Sequence, residues 1–195
     1  MAIAFQCRCG ALQGELDLAG VYTRATCHCR DCQAFARALG RSDVLDAAGG
    51  TDVLAMLPSA LRITTGQEHL ACLSLGPKGL YRWHAACCAT PIANTPRDPG
   101  MAYVGVLASC VTDPLQLDGA MGPSRAMVGR ASATAPVRST PLQTTWTVIR
   151  TIVGIVGARL RGRHRPNPFF EPGTAEPIRA PRVLTREERA AASTA

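Results

Sequence analysis

"CHCRDC", residues 27–32, sets three cysteines within six positions and separates them with His28, Arg30 and Asp31, groups that ordinarily seek water. What this stretch is for depends on the other six of the nine cysteines. Cys7 and Cys9 form a C-x-C pair ahead of Gly10, and Cys87 and Cys88 stand side by side beyond "LYRW". The start, "MAIAFQC", has no basic stretch leading into an apolar run and a small-residue cleavage site, so a cytoplasmic location is expected. Thiols in a reducing compartment are poor disulfide candidates, and closely spaced pairs read as thiolate ligands of a metal, zinc first. Ligands one to three positions apart converge on one centre when a tight turn points their side chains inward. Cys72 and Cys110 lie in apolar strand-like segments and read as buried core thiols.

Outward from the hexapeptide, the chain reads as mainly β up to about residue 117. "ALQGELDL", "LRIT", "LACLSL" and "MAYVGVL" are short strand-like runs broken by turn signals, among them "GPKG" at Gly76, a hairpin connection. "CQAFARAL", Cys32 to Leu39, is the helical exception, ended by Gly40. Residues 1–117 are therefore expected to form one zinc-binding β domain. Residues 118–141 turn to Gly, Ser, Ala, Pro and Thr, the composition of a linker. Within residues 142–163, Trp146, Ile149, Ile152, Val153 and Val156 recur at helical steps, which predicts an amphipathic helix. Residues 164–195, rich in Pro and charge, read as a flexible basic tail.

The net charge of +7 is concentrated in the last third. Met1 to Pro123 carries nine Lys or Arg against ten Asp or Glu, and Ser124 onward twelve against four. No aromatics are interleaved with the tail arginines to stack bases, so no nucleic-acid partner is expected. Arg150 interrupts the apolar run of the C-terminal helix, which falls short of the ~20 residues a membrane span needs. Docking on a protein core is the plain expectation for that helix, with peripheral membrane contact as its alternative. "GGTD" at Gly49 lacks the lysine of a phosphate-binding loop, and no Ser/His/Asp arrangement is visible. The oligomeric state is not legible.

C-x-C-G, then C-x-C-x-x-C about twenty residues later, then an aromatic residue with a third cysteine cluster running into "TPI", resembles the glutathione-dependent formaldehyde-activating enzyme family, the Gfa-like zinc proteins. The resemblance spans roughly residues 5 to 107. It implies an Mss4-like folded antiparallel β structure, one structural zinc joining the first and third clusters, and a second zinc on the middle cluster. It also implies a carbon-sulfur lyase that joins a small thiol such as glutathione to a small aldehyde. Carried over by position, Cys7 and Cys9 match the first pair, while Cys27, Cys29 and Cys32 match the middle triad and with it the catalytic site.

The third cluster departs from the family pattern F-C-x-x-C-G-T-P-L. "WHAACCATPI" fits it in one register with Cys88 as ligand and in another with His84 and Cys87. A third arrangement uses Cys87 and Cys88 together, which needs a bend because neighbours on a strand face opposite ways. Three thiolates on a zinc leave a net negative site, so Arg30 and His28 are expected to offset it, and Arg30 and Arg37 to attract the carboxylates of glutathione. The competing reading is a non-catalytic zinc module that binds a protein partner, with metal compensating for a small core.

Overall fold

The computed structural model describes residues 1–138 and 141–194, so positions 139 and 140 of the expected linker and position 195 of the expected tail lie outside the described residues. In chain order the elements are β1 (Ala2–Gln6), β2 (Gln13–Asp17), β3 (Val21–Cys27), α1 (Arg30–Ala38), β4 (Thr51–Met56), β5 (Leu61–Thr65), β6 (Leu70–Ser74) and β7 (Tyr81–Ala85). They continue with β8 (Thr90–Thr95), β9 (Val104–Leu107), α2 (Pro114–Met121), β10 (Ala126–Val128), α3 (Pro141–Leu160), β11 (Arg182–Val183) and α4 (Arg186–Ser193).

Two sheets result. The smaller has the order β1-β2-β5 and the larger runs β10-β3-β4-β9-β8-β7-β6-β11. The expectation of a mainly β chain holds, although the larger sheet is mixed: its two outermost pairs, β10 with β3 and β11 with β6, are parallel. β1 and β2 alternate exposed and buried positions as strands with one wet face do. Ile3, Phe5 and Leu16 point inward, and Gly14 sits where any Cβ would strike the Phe5 ring. β8 is buried at all six positions, as a central strand covered on both faces must be. "GPKG" joins β6 to β7, which pair antiparallel, so the hairpin reading holds.

The main core lies between the sheets, around Phe5, Leu54, Trp83 and Ile92. The Trp83 indole N–H donates to Thr95 Oγ1 at 2.9 Å, which allows the ring to be fully buried without an orphaned donor.

Two expectations about the last third need correction. Residues 118–141 do not merely link. α2 begins within the expected β domain and runs to Met121, and β10 pairs residue for residue with the end of β3, Val128 opposite Cys27. Residues 164–194 do not hang free either. Phe169 stacks on Trp83 with ring centroids 4.9 Å apart, Phe170 packs on Tyr81 at 6.0 Å, and both phenylalanines belong to the main core. Further on, Leu184 and Ala192 bury themselves with Phe35 of α1 in a second cluster. The polar composition that suggests a tail hides these apolar anchors, and β11 pairing with β6 and Arg179 donating to the Leu70 carbonyl at 3.2 Å hold the segment between them. The C-terminal helix is present as α3, and no helix among the described residues is long and apolar enough to cross a membrane.

Candidate metal centres

Cys7 and Cys9 sit on the turn between β1 and β2. The turn closes through the Gly10 amide donating to the Cys7 carbonyl at 2.9 Å, with Gly10 at φ +78° where a side chain would be strained. The Leu12 amide donates to Cys7 Sγ at 3.2 Å and fixes that sulfur's direction. Cys87 and Cys88 occupy the turn between β7 and β8, where Ala89 adopts φ +53°. This turn is the bend that lets adjacent cysteines face the same way. The four sulfurs Cys7, Cys9, Cys87 and Cys88 all lie within 4.8 Å of one another.

Cys7 Sγ is 3.6 Å from Cys9 Sγ and 3.7 Å from Cys87 Sγ, and Cys9 to Cys87 is 3.3 Å. Four sulfurs bonded to one zinc at ~2.3 Å stand ~3.8 Å apart at the corners of a tetrahedron, so the cluster fits a closed thiolate metal site. The arrangement with both Cys87 and Cys88 is the one the structure brings together. His84 lies on β7 outside the group, half-buried, with its pKa lowered by burial.

The second cluster is Cys27, Cys29 and Cys32. Cys27 ends β3, Cys29 caps α1, and Cys32 lies in that helix's first turn. Cys29 Sγ accepts the Cys32 amide at 3.4 Å, and the Cys27 sulfur is 3.4 Å from both Cys29 and Cys32. Thiol hydrogen bonds from Cys27 and Cys32, the helix amide and the Arg82 charge hold the Cys29 thiol well below the usual range, against the opposing effect of burial. Placing the sulfurs at a helix N-terminus adds the favourable end of the helix dipole. Gly129, at φ +70°, lets β10's end approach so closely that a Cβ there would meet the Cys29 backbone at 2.6 Å.

The surroundings differ from what the hexapeptide alone suggests. His28 is buried, but its ring turns to Asp46, 3.5 Å from Nε2 to Oδ2, and stays outside the sulfur cluster. Arg37 donates to Gln33 Oε1 at 3.0 Å and does not border the cluster's cavity, whereas exposed Arg30 does. The cation that reaches the sulfurs is Arg82. It is 3% exposed, lies 3.8 Å from Cys32 Sγ, donates to Asn94 Oδ1 at 3.0 Å and lies 3.8 Å from Asp31. Its Nε has no hydrogen-bond partner among the described residues. Sequence reasoning passed over Arg82, since its only mark is a charge in the strand "LYRW", between large apolar neighbours that bury it.

A cavity of about 550 Å³ opens beside Cys27, Cys29 and Cys32. Val53, Val128, Val148 and Ile152 wall it, with Arg82 and Asn94 as inner polar groups and Arg30 also on its lining. Cys72 and Cys110 are buried away from both clusters, as expected, and burial pushes each thiol up to about 12.

A β-rich chain with two groups of thiols spaced as metal ligands is a candidate metal-binding protein. Over residues 1–178 it matches, and therefore belongs to, DUF6151, a family of unknown function. No curated protein matches it. Among solved structures, the crystal structure of a Rhodobacter sphaeroides protein, a structural-genomics target, is similar at 22% identity. The match covers 59% of this chain and 94% of that one, with a TM-score of 0.42.

Proposed function

We propose that the chain binds two zinc ions, one closed and structural, the other held by three thiolates, and that the second serves a carbon-sulfur lyase acting on the adduct of a small thiol and a small aldehyde. The observation that carries this reading is the contrast between the clusters. Four sulfurs complete the first, while among the described residues three form the second, and a cavity adjoins those three. Zinc bound by three thiolates supplies an open coordination position at which a thiol's pKa falls from about 8.5.

The chain's own groups do the rest. Cys27, Cys29 and Cys32 hold the ion, and Arg82 offsets part of the negative charge they carry. Arg30, at the cavity, is placed to attract a carboxylate of a thiol such as glutathione. The apolar walls take the carbon of the aldehyde and keep water from competing for it. In the reaction class proposed, the thiol sulfur forms a bond to the carbonyl carbon while the thiol proton passes to the carbonyl oxygen, and the lyase direction reverses both. The Gfa-like resemblance of Cys7, Cys9 and the middle triad points the same way.

The test is cobalt substitution in the full chain. Millimolar glutathione should change the thiolate-to-metal absorption, and Cys29→Ser should abolish the change while the protein stays folded. A spectrum unmoved by glutathione, with no effect of the protein on formation of the formaldehyde-glutathione adduct, would leave a structural zinc module as the better account. A response to a different thiol would keep the chemistry and change the substrate.

A further inference from the structure

Val148 and Ile152 of α3 border the cavity beside the second cluster, but most of the helix's large apolar side chains face away from the protein. Toward the sheet it presents Thr147, Thr151, Gly154 and Ala158, a stripe at steps of four, three and four. The Thr151 hydroxyl pairs with that of Thr23 at 2.7 Å, a Cβ on Gly154 would strike the Tyr22 ring, and Ala158 is buried with Leu57 and Ala102. Away from the sheet lie Leu142, Trp146, Ile149, Val153, Val156 and Leu160, at steps of four, three, four, three and four. Leu142, Trp146, Val153 and Leu160 are between 65% and 85% exposed. An amphipathic helix packed for water would be turned half a revolution. Six large apolar side chains in a continuous line on one helix exceed the scattered exposed residues that a monomer tolerates.

Charge identifies what covers the line. From Gly119 to Phe170 the chain carries eight arginines and no aspartate or glutamate. Arg150 and Arg159 flank the apolar line on opposite sides of α3, and Arg161, Arg163 and Arg165 follow its end, all exposed. Among the described residues, the acid that pairs with this group is Asp98, 3.3 Å from Arg159 across a solvent-exposed pair. A second copy laid against the line would bring Arg150 and Arg159 against the same basic helix with no acid on it to answer them. A lipid surface that is apolar beneath and anionic above satisfies both the line and its flanks.

We propose that α3 is an interfacial helix that docks the protein on anionic membranes, with Leu142, Trp146, Ile149, Val153, Val156 and Leu160 entering the acyl boundary and the arginines among the head groups. This proposal stands apart from the chemistry proposed for the cysteine clusters.

The experiment mixes the full chain with vesicles of phosphatidylcholine alone and of phosphatidylcholine with phosphatidylglycerol, read by co-sedimentation and by tryptophan emission. Trp83 is fully buried, so a blue shift reports Trp146 entering lipid. Binding should require phosphatidylglycerol, weaken with salt, and shift the emission to the blue. The double variant Arg161→Gln/Arg163→Gln should bind about thirtyfold more weakly. Val153→Asp should lose binding with an unchanged melting temperature, because the side chain touches solvent only on the outward line. Absence of binding to the anionic vesicles, or undiminished binding by Val153→Asp, overturns the proposal. So does a dimer in light scattering that Val153→Asp splits, without vesicle binding, since a second copy would then be what covers the line.

Discussion

Cys7 Sγ lies 3.7 Å from Cys87 Sγ, although eighty residues separate them. The first belongs to the small sheet's β1–β2 turn and the second to the large sheet's β7–β8 turn, so a metal bound there would pin the two sheets together at one corner. Metal-binding energy at such a site is folding energy. Purified, reduced protein should carry two zinc ions per chain by elemental analysis. Cys7→Ser should cost the fold more, by calorimetry, than Cys29→Ser, whose partners all lie within five positions of one another in sequence. Less than one ion per chain would sink the two-site reading, and iron in place of zinc would change the chemistry proposed.

Arg82 is the buried cation beside the second cluster. Arg82→Met should lower metal affinity at Cys27, Cys29 and Cys32 by about 10- to 100-fold, as loss of an outer partner does. It should also cost about 1–3 kcal/mol of stability, because it leaves buried Asn94 without its donor. Competition with a chromophoric chelator separates the two effects: the first cluster's affinity should not move.

Phe169→Ala should destabilise the protein by about 3–5 kcal/mol, the cost of emptying a buried aromatic site. The check is denaturant unfolding, with Trp83 emission as the probe, since the two rings are 4.9 Å apart. A change under about 1 kcal/mol would mean that Phe169 contributes little to the core it touches.

Cys72 and Cys110 should resist iodoacetamide at pH 8 in the native protein and react on unfolding, as mass spectrometry would show. Burial raises both thiols from the ordinary 9 to about 12. The reactive thiolate is therefore nearly absent at pH 8. The sign of the pH effect follows: between pH 9 and 12 the unfolded thiols have lost their protons while the folded ones keep them, so stability falls as pH rises through that window. Rapid native alkylation of either residue would contradict its burial.

The clusters were legible in the sequence because thiols announce themselves by spacing: Cys7 and Cys9, or Cys27, Cys29 and Cys32, need only a turn to meet. The pairing of Cys87 with Cys88 was only one of three readings, because it rests on the positive φ of Ala89, a conformation alanine rarely adopts and does not advertise. Arg82 was not legible as a site residue, since its role comes from strand register, which sets it beside Asn94 and toward α1. β10 was missed for a similar reason. "AMV" is too short to show a period, and it is held as a strand by β3 alone among its sheet neighbours. The rotation of α3 also escaped, because periodicity locates an apolar face without saying which way it turns.

The pairing of Phe169 with Trp83 has a consequence for biosynthesis. The two positions differ by 169 − 83 = 86 residues. As the chain emerges, the Trp83 face of the core stays uncovered while those 86 residues are translated, and the cysteines of the two candidate metal centres, the last of which is Cys88, have all been made well before. Metal capture can thus precede closure of the core, so a nascent chain lacking metal during that interval would expose both loose turns and an open aromatic face to its neighbours.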